Sequence, residues 1–121
     1  MSKKLLIVDD SQTSLLLAKT ALSSLRCEII EARDGAEAVD KAVAHKPNLI
    51  LMDVEMPRLD GFQACRRMRA LLGTRLPILL LTTRSSVEFL RRGFESGCTG
   101  YLNKPIAGDE LLTKVRNYLG E

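Results

Sequence analysis

Lys4-Leu5-Leu6-Ile7-Val8-Asp9-Asp10 and Leu49-Ile50-Leu51-Met52-Asp53 decide the fold of this chain. Each is an apolar run of strand length without polar alternation, the pattern of a strand buried on both faces. Each also ends on acid. If the two strands are parallel neighbours, Asp9, Asp10 and Asp53 meet at one edge of the sheet. Two unit charges about 4 Å apart repel by roughly 4 kcal/mol at an effective dielectric near 20. Folding does not call for that cost and a divalent cation would relieve it, so the cluster points to function.

Outward from these runs, strand and helix patterns alternate five times. Strands are predicted over Lys4–Val8, Glu28–Ala32, Leu49–Asp53, Pro77–Thr82 and Gly100–Asn103. Ser11 is an N-cap residue for the first helix, whose apolar stripe is Leu15, Leu16, Ala18, Leu22 and Leu25. The second helix follows Asp34-Gly35, turns Ala38, Val39, Ala42 and Val43 inward, and ends before Pro47. The third runs from about Gly61 to Leu72. The fourth, Ser85 to Ser96, is expected to bury Val87, Leu90 and Phe94 and to stop at Gly97. The fifth, Gly108 to Leu119, uses Leu111, Leu112, Val115 and Leu119. Alternation of this kind predicts a parallel sheet with helices on both faces, because each crossover is right-handed.

The 121 residues suit one domain over 1–121, long enough to bury a core without disulfides or structural metal. No apolar run is long enough to span a membrane, and the start lacks a signal-peptide core, so a cytoplasmic location and no membrane partner are expected. Cys27, Cys65 and Cys98 have no metal-ligand spacing and read as reduced thiols. His45 reads as a surface residue. Residues 1–60 carry eight Lys/Arg against ten Asp/Glu, and residues 61–121 ten against five, so the second half is basic. No aromatics interleave with Arg66, Arg67, Arg69, Arg75, Arg84, Arg91 and Arg92 as a stacking platform needs, so direct nucleic-acid binding is not expected.

In open parallel sheets, ligands bind outside the carboxyl ends of the strands. Asp9, Asp10, Asp53 and Thr82 lie at those ends, with Lys104 just after the last strand. Mg²⁺ takes one or two carboxylates, waters and phosphate oxygens. Asp9 and Asp10 are placed to hold it. Asp53 is a further ligand and a nucleophile able to form an aspartyl phosphate. Thr82 and Lys104 would bind the phosphoryl oxygens, the positioning and neutralisation that phosphoryl transfer needs. Taken singly, each residue has a plainer role: Asp10 capping the first helix, Thr82 capping the fourth, Lys104 pairing with Asp53.

The motifs as a set resemble the receiver domain of two-component response regulators, the single-domain chemotaxis type included. The matching stretches are Leu5 to Ser11, Leu51-Met52-Asp53-Val54-Glu55-Met56-Pro57 with Asp60-Gly61, Pro77-Ile78 with Leu81-Thr82, and Gly100-Tyr101-Leu102-Asn103-Lys104-Pro105. The resemblance implies a flavodoxin-like (βα)5 three-layer sandwich with strand order 2-1-3-4-5. It implies that Asp53 is phosphorylated from a sensor histidine kinase or phosphotransfer protein, and that Asp9, Asp10, Asp53 and the Glu55 backbone carbonyl hold Mg²⁺. It implies a cis Lys104-Pro105 bond, an Asp60-Gly61 turn into the third helix, and a switch through Thr82 and Tyr101. That switch remodels the face of helix four, strand five and helix five toward a downstream output protein or domain. Self-phosphorylation and autodephosphorylation are the only reactions implied, and a weak or phosphorylation-dependent dimer fits the family.

Some positions depart from the family pattern. Thr83 stands where a smaller residue is usual, and Ile106 where an aromatic is common. Glu55 and Arg84 could pair across the site mouth and tune the phosphoryl lifetime. Three other readings compete. One is an N-terminal receiver fragment of a larger DNA-binding or enzymatic regulator. Another is an FMN-binding flavodoxin-like module, opposed by the acids after the first strand and the absence of tryptophan. The third is a phosphoaspartate hydrolase, opposed by the placement of Asp53 on the third strand.

Overall fold

The computed structural model describes residues 2–56 and 59–120; Pro57 of the Asp53 motif lies outside them. Ten elements alternate in chain order: β1 (Lys3–Val8), α1 (Gln12–Ala21), β2 (Cys27–Ala32), α2 (Gly35–His45), β3 (Leu49–Asp53), α3 (Gly61–Leu72), β4 (Ile78–Thr82), α4 (Val87–Ser96), β5 (Gly100–Asn103) and α5 (Gly108–Leu119). The strands form one parallel sheet in the order β2-β1-β3-β4-β5. This is the flavodoxin-like architecture that the resemblance implies, and its parallel sheet is the one expected from the alternation.

Alternate side chains of a strand point to opposite faces, and both faces of this sheet are covered. Leu6, Val8, Ile50, Met52, Ile78 and Leu80 pack with the inner sides of α2, α3 and α4. Leu5, Ile7, Leu49, Leu51, Leu79 and Leu81 pack with Leu15 and Leu22 by α1 and with Leu111, Val115 and Leu119 of α5. The central strands β3 and β4 are buried at every position, which is why their sequences show no polar alternation.

Side-chain caps start α1 to α4, whereas α5 begins after Ala107 without one. Ser11 accepts from the Ser14 N–H at 3.2 Å, Asp34 from Glu37 at 2.8 Å, Asp60 from Gln63 at 2.9 Å and Ser86 from Phe89 at 3.3 Å. Each satisfies one of the amide groups that a helix start leaves unpaired. Ser11, rather than Asp10, therefore caps α1.

Three helix faces differ from expectation. Leu16 is 62 % exposed and Val43 43 %, both lying beside the buried stripe rather than in it. The larger correction concerns α4. Val87 and Phe94 are 72 % and 54 % exposed and Leu90 is only half-buried, while Phe89, Gly93 and Ser96 face the core. The cap is Ser86, and the helix starts at Val87, two residues later than expected. Each residue turns a helix by about 100°, so placing Phe89 inward carries Val87 and Phe94 to the outside.

At the end of the sheet opposite the acids, Arg69 ties α3 to the α4–β5 turn. Its guanidinium donates to the carbonyls of Gly97 (2.6 Å), Gly73 (3.1 Å) and Leu76, and to Thr99 Oγ1 (3.2 Å). Cys65 and Cys98 are free and buried, and burial pushes both thiols up, Cys98 to about 11. Such thiols are poor nucleophiles at neutral pH. His45 is exposed, and its carbonyl accepts from Lys4 Nζ at 3.2 Å.

Candidate phosphoryl and metal site

Strand register builds the site. Val8 pairs with Met52, so Asp9 and Asp53 continue side by side past the last pair of β1 and β3. Asp53 pairs with Leu81, and Thr82 with Asn103, which sets Lys104 one residue beyond. Main-chain bonds carry the ladder past the strand ends: Asp9 N to Ala32 O at 3.0 Å, Val54 N to Leu81 O at 3.2 Å, and Lys104 N to Thr82 O at 2.9 Å. Four residues far apart in the chain are thereby fixed by the sheet rather than by flexible loops.

Asp9 is 6 % exposed and Asp53 8 %, whereas Asp10 is exposed at the mouth. One carboxylate oxygen from each lies within 4.8 Å of the other two. Asp9 Oδ1 accepts from the Ser11 N–H at 2.9 Å, and Asp53 Oδ1 from the Glu55 N–H at 3.3 Å. Lys104 Nζ reaches Asp53 Oδ2 at 3.2 Å and Asp9 Oδ2 at 3.4 Å. The Lys104-Pro105 bond is cis.

The electrostatics follow from burial. Loss of solvent raises the Asp53 carboxyl above its ordinary range; Lys104 pulls it back, and the charge on Asp9 raises it again. Burial alone would lower the Lys104 ammonium, but Asp53 and Asp9, by charge and hydrogen bond, leave it raised. One ammonium thus pairs with two of the three carboxylates, and the cluster keeps an excess of negative charge. Its donors are hard oxygens, with an exposed carboxylate at the mouth and two buried ones within. That set suits a cation such as Mg²⁺, which keeps several waters and takes few protein ligands.

Asp60 and Gly61 hold the loop that follows Asp53. Asp60 caps α3, and the Gly61 N–H bonds the Val54 carbonyl at 3.0 Å. A methyl group at Gly61 would lie 2.8 Å from both Asp53 O and Val54 Cα. Only glycine allows α3 to start so close to the backbone of the buried acid.

Thr82 is 2 % exposed, and its Oγ1 accepts from the Arg84 N–H at 2.9 Å. It makes a turn of its own chain and does not cap α4. The Arg84 guanidinium stands 4.4 Å above the Phe89 ring, so its cationic end is engaged with α4. Tyr101 is half-buried, its hydroxyl directed at the carbonyls of Phe89 (3.1 Å) and Leu90 (3.2 Å). Its ring meets Phe89 at 6.4 Å and Phe94 at 5.6 Å between centroids, and Phe89 meets Phe62 edge-on at 5.1 Å. Sequence reasoning missed this aromatic cluster; the available signal was Phe62, Phe89 and Phe94, the only phenylalanines in the chain.

Of the other arginines, Arg92 covers Phe62 at 4.7 Å and Arg69 serves carbonyls, while Arg66, Arg67, Arg75 and Arg91 are exposed. Thr83 and Ile106 line a cavity of about 560 Å³ between α1 and α5 that reaches Asp9 and Lys104. No helix among the described residues is long and apolar enough to cross a membrane.

Comparison with known proteins agrees with this geometry. Residues 5–116 match the family model of the response regulator receiver domain. The response regulator MprA of Mycobacterium bovis is 40 % identical over 119 residues, covering 98 % of this chain and 51 % of the relative; the Mycobacterium tuberculosis protein gives the same figures. The chain thus spans about half the length of the curated relatives it matches. Among solved structures, Vibrio cholerae chemotaxis protein CheY4 superposes with a TM-score of 0.90 at 34 % identity, covering 98 % of this chain and 99 % of that one. The receiver domain of the Francisella response regulator 1452 superposes with a TM-score of 0.88 at 28 % identity, covering 98 % of each chain.

Proposed function

This chain belongs to the response regulator receiver domains of two-component systems, and from that premise we propose that Asp53 is its phosphoacceptor, with a histidine kinase or phosphotransfer protein as donor. One observation carries the assignment. Asp53 and Asp9 are both buried carboxylates bonded to Lys104, and of the two Asp53 is the one at the end of β3, between the ends of β1 and β4 and therefore flanked by Asp9 and Thr82. An Asp53 oxygen attacks the phosphorus of a phosphohistidine, the P–O bond forms as the P–N bond breaks, and the departing imidazole takes a proton from solvent. Lys104 neutralises a phosphoryl oxygen, and Thr82 offers its hydroxyl hydrogen to another.

Asp9, Asp10, Asp53 and the Glu55 carbonyl would hold Mg²⁺. When bound, the ion supplies positive charge where phosphoryl oxygens would gather. Water would later hydrolyse the acyl phosphate, so acceptance and loss of the phosphoryl group are the only chemistry proposed, in a cytoplasmic signalling role. Thr82 and Tyr101 would carry the state of Asp53 to α4, β5 and α5, the face for an output partner.

Phosphate-affinity electrophoresis tests the reading. After treatment with a small phosphodonor and Mg²⁺, the wild type should shift and Asp53→Asn should not. No shift in the wild type, or one that persists in Asp53→Asn, rejects it.

The half-length match to MprA favours a second reading, in which residues 1–121 are the receiver part of a longer regulator. Immunoblotting of the native host with an antibody to this domain distinguishes a 13.4 kDa species from a longer one.

A further inference from the structure

The cavity between α1 and α5 has a volume of about 560 Å³, within the range of small-molecule pockets. Most of its wall is apolar. Leu51 and Leu81 of the sheet form its base, and Leu17 of α1 and Ile106 and Leu111 from the α5 side line it. The gap remains because three further residues of the wall, Ala18, Ala21 and Gly108, carry side chains of one carbon or none. Leu17 is 65 % exposed, so an occupant would cover apolar surface that faces water.

The polar residues of the wall gather at one end. Asp9 and Lys104 belong to the acidic site, Thr83 follows the end of β4, and Ser14 lies in the first turn of α1. A cavity that is apolar along its length and charged at one end fits an amphipathic ligand, and the charge at that end selects the sign. A wholly apolar molecule would strip water from Asp9 and Lys104 without replacing it. An anion would add to an end that already groups three carboxylates against one ammonium. A second ammonium would still leave negative charge in excess there, and it would donate to Asp9 as Lys104 does.

We propose that the α1–α5 cavity is a binding site for small organic cations, with a primary ammonium group seated at Asp9 and an aryl or alkyl body between the helices. The bound ammonium and a divalent cation both draw on Asp9, so each weakens the binding of the other by the same factor. That exclusion rests on the reading of Asp9 as a metal ligand; the binding of the amine does not.

Three probes that differ in one group test the site: 4-phenylbutylamine, 4-phenylbutanol and 4-phenylbutyrate. In NMR titrations of the wild type without divalent cations, the amine should bind several-fold more tightly than the alcohol, and the carboxylate most weakly. Nuclear Overhauser effects should join the phenyl ring to the methyl groups of Leu17, Ile106 and Leu111. No binding of the amine, binding of the carboxylate as tight as that of the amine, or ring contacts elsewhere on the chain overturns the proposal. Ala18→Leu places a larger side chain in the cavity on a residue that favours the helix, and it should abolish binding of the amine. Undiminished binding in this variant also overturns the site, and the ring contacts in the wild type decide the matter if the variant fails to fold. Added Mg²⁺ should weaken the amine several-fold. Unchanged affinity in a chain that binds Mg²⁺ overturns the exclusion, whereas a chain that takes no Mg²⁺ rejects the metal reading and leaves the cavity to be judged by the ring contacts.

Discussion

Lys104 Nζ lies 3.2 Å from Asp53 Oδ2, a pairing between residues 51 apart in the chain. The same ammonium reaches Asp9, 95 residues away, at 3.4 Å. Both bonds depend on β1, β3, β4 and β5 ending at the same edge of the sheet. They still leave the cluster with more negative than positive charge, and most of its properties follow from that imbalance.

A divalent cation should stabilise the fold. Any ligand that binds only the folded state adds about 1.4 kcal/mol at a concentration tenfold above its Kd. Thermal melts of the wild type should therefore rise with Mg²⁺ by several degrees. Asp10→Asn, which removes the exposed carboxylate of the cluster, should fold normally and lose most of that rise. An equal rise in Asp10→Asn would remove Asp10 from the metal site.

Asp53 should be a source of instability at neutral pH. Its carboxyl is raised in the folded protein, so the folded state holds the proton more tightly than the unfolded state does. Stability therefore falls as pH rises from the unfolded value near 4 through the raised folded value. Asp53→Asn removes this dependence. It should be more stable than wild type at pH 7, with the difference shrinking toward zero as pH falls to about 4. Urea titrations at a series of pH values measure it. A variant less stable than wild type at pH 7 would contradict the electrostatic account.

Much of this was legible in the sequence. The strands were visible because burial on both faces leaves an apolar run with no ambiguity of phase, and Asp9, Asp53 and Thr82 were visible as the residues that end them. The inward face of α4 was not. Val87, Phe89, Leu90 and Phe94 spread apolar side chains around the helix, so periodicity alone does not choose among its faces. The choice is made by Phe62 on α3 and Tyr101 on β5, which reach Phe89 only once the sheet has formed. The Arg69 bonds were equally hidden, because their acceptors are main-chain carbonyls brought in from other turns. Opposite charge alone suggests a pairing of Arg84 with Glu55, but the Phe89 ring takes the guanidinium instead.

Gly61→Ala should disturb fold and site together. The added methyl would press on the backbone of Asp53 and Val54, and overpacking of this kind costs about 1–3 kcal/mol. The urea midpoint should fall, and Asp53 phosphorylation should slow because its main chain has moved. Wild-type stability with wild-type phosphorylation would show that α3 can shift freely away from the site.

Arg69→Met should separate stability from function. It removes the donors serving the Gly97, Gly73 and Leu76 carbonyls and should destabilise by about 2 kcal/mol. These bonds lie at the far end of the sheet, so Mg²⁺-dependent stabilisation should survive in the variant. Loss of the Mg²⁺ effect in a folded Arg69→Met protein would mean that the two ends of the sheet are coupled.

The central claim is that Asp53 takes a phosphoryl group in a cation-dependent reaction. Mass spectrometry of peptides from protein treated with a small phosphodonor tests it directly. The account predicts one phosphoryl group, located on Asp53, formed with Mg²⁺ and absent after chelation. Modification at another residue, or equal modification of Asp53 without a divalent cation, would contradict it.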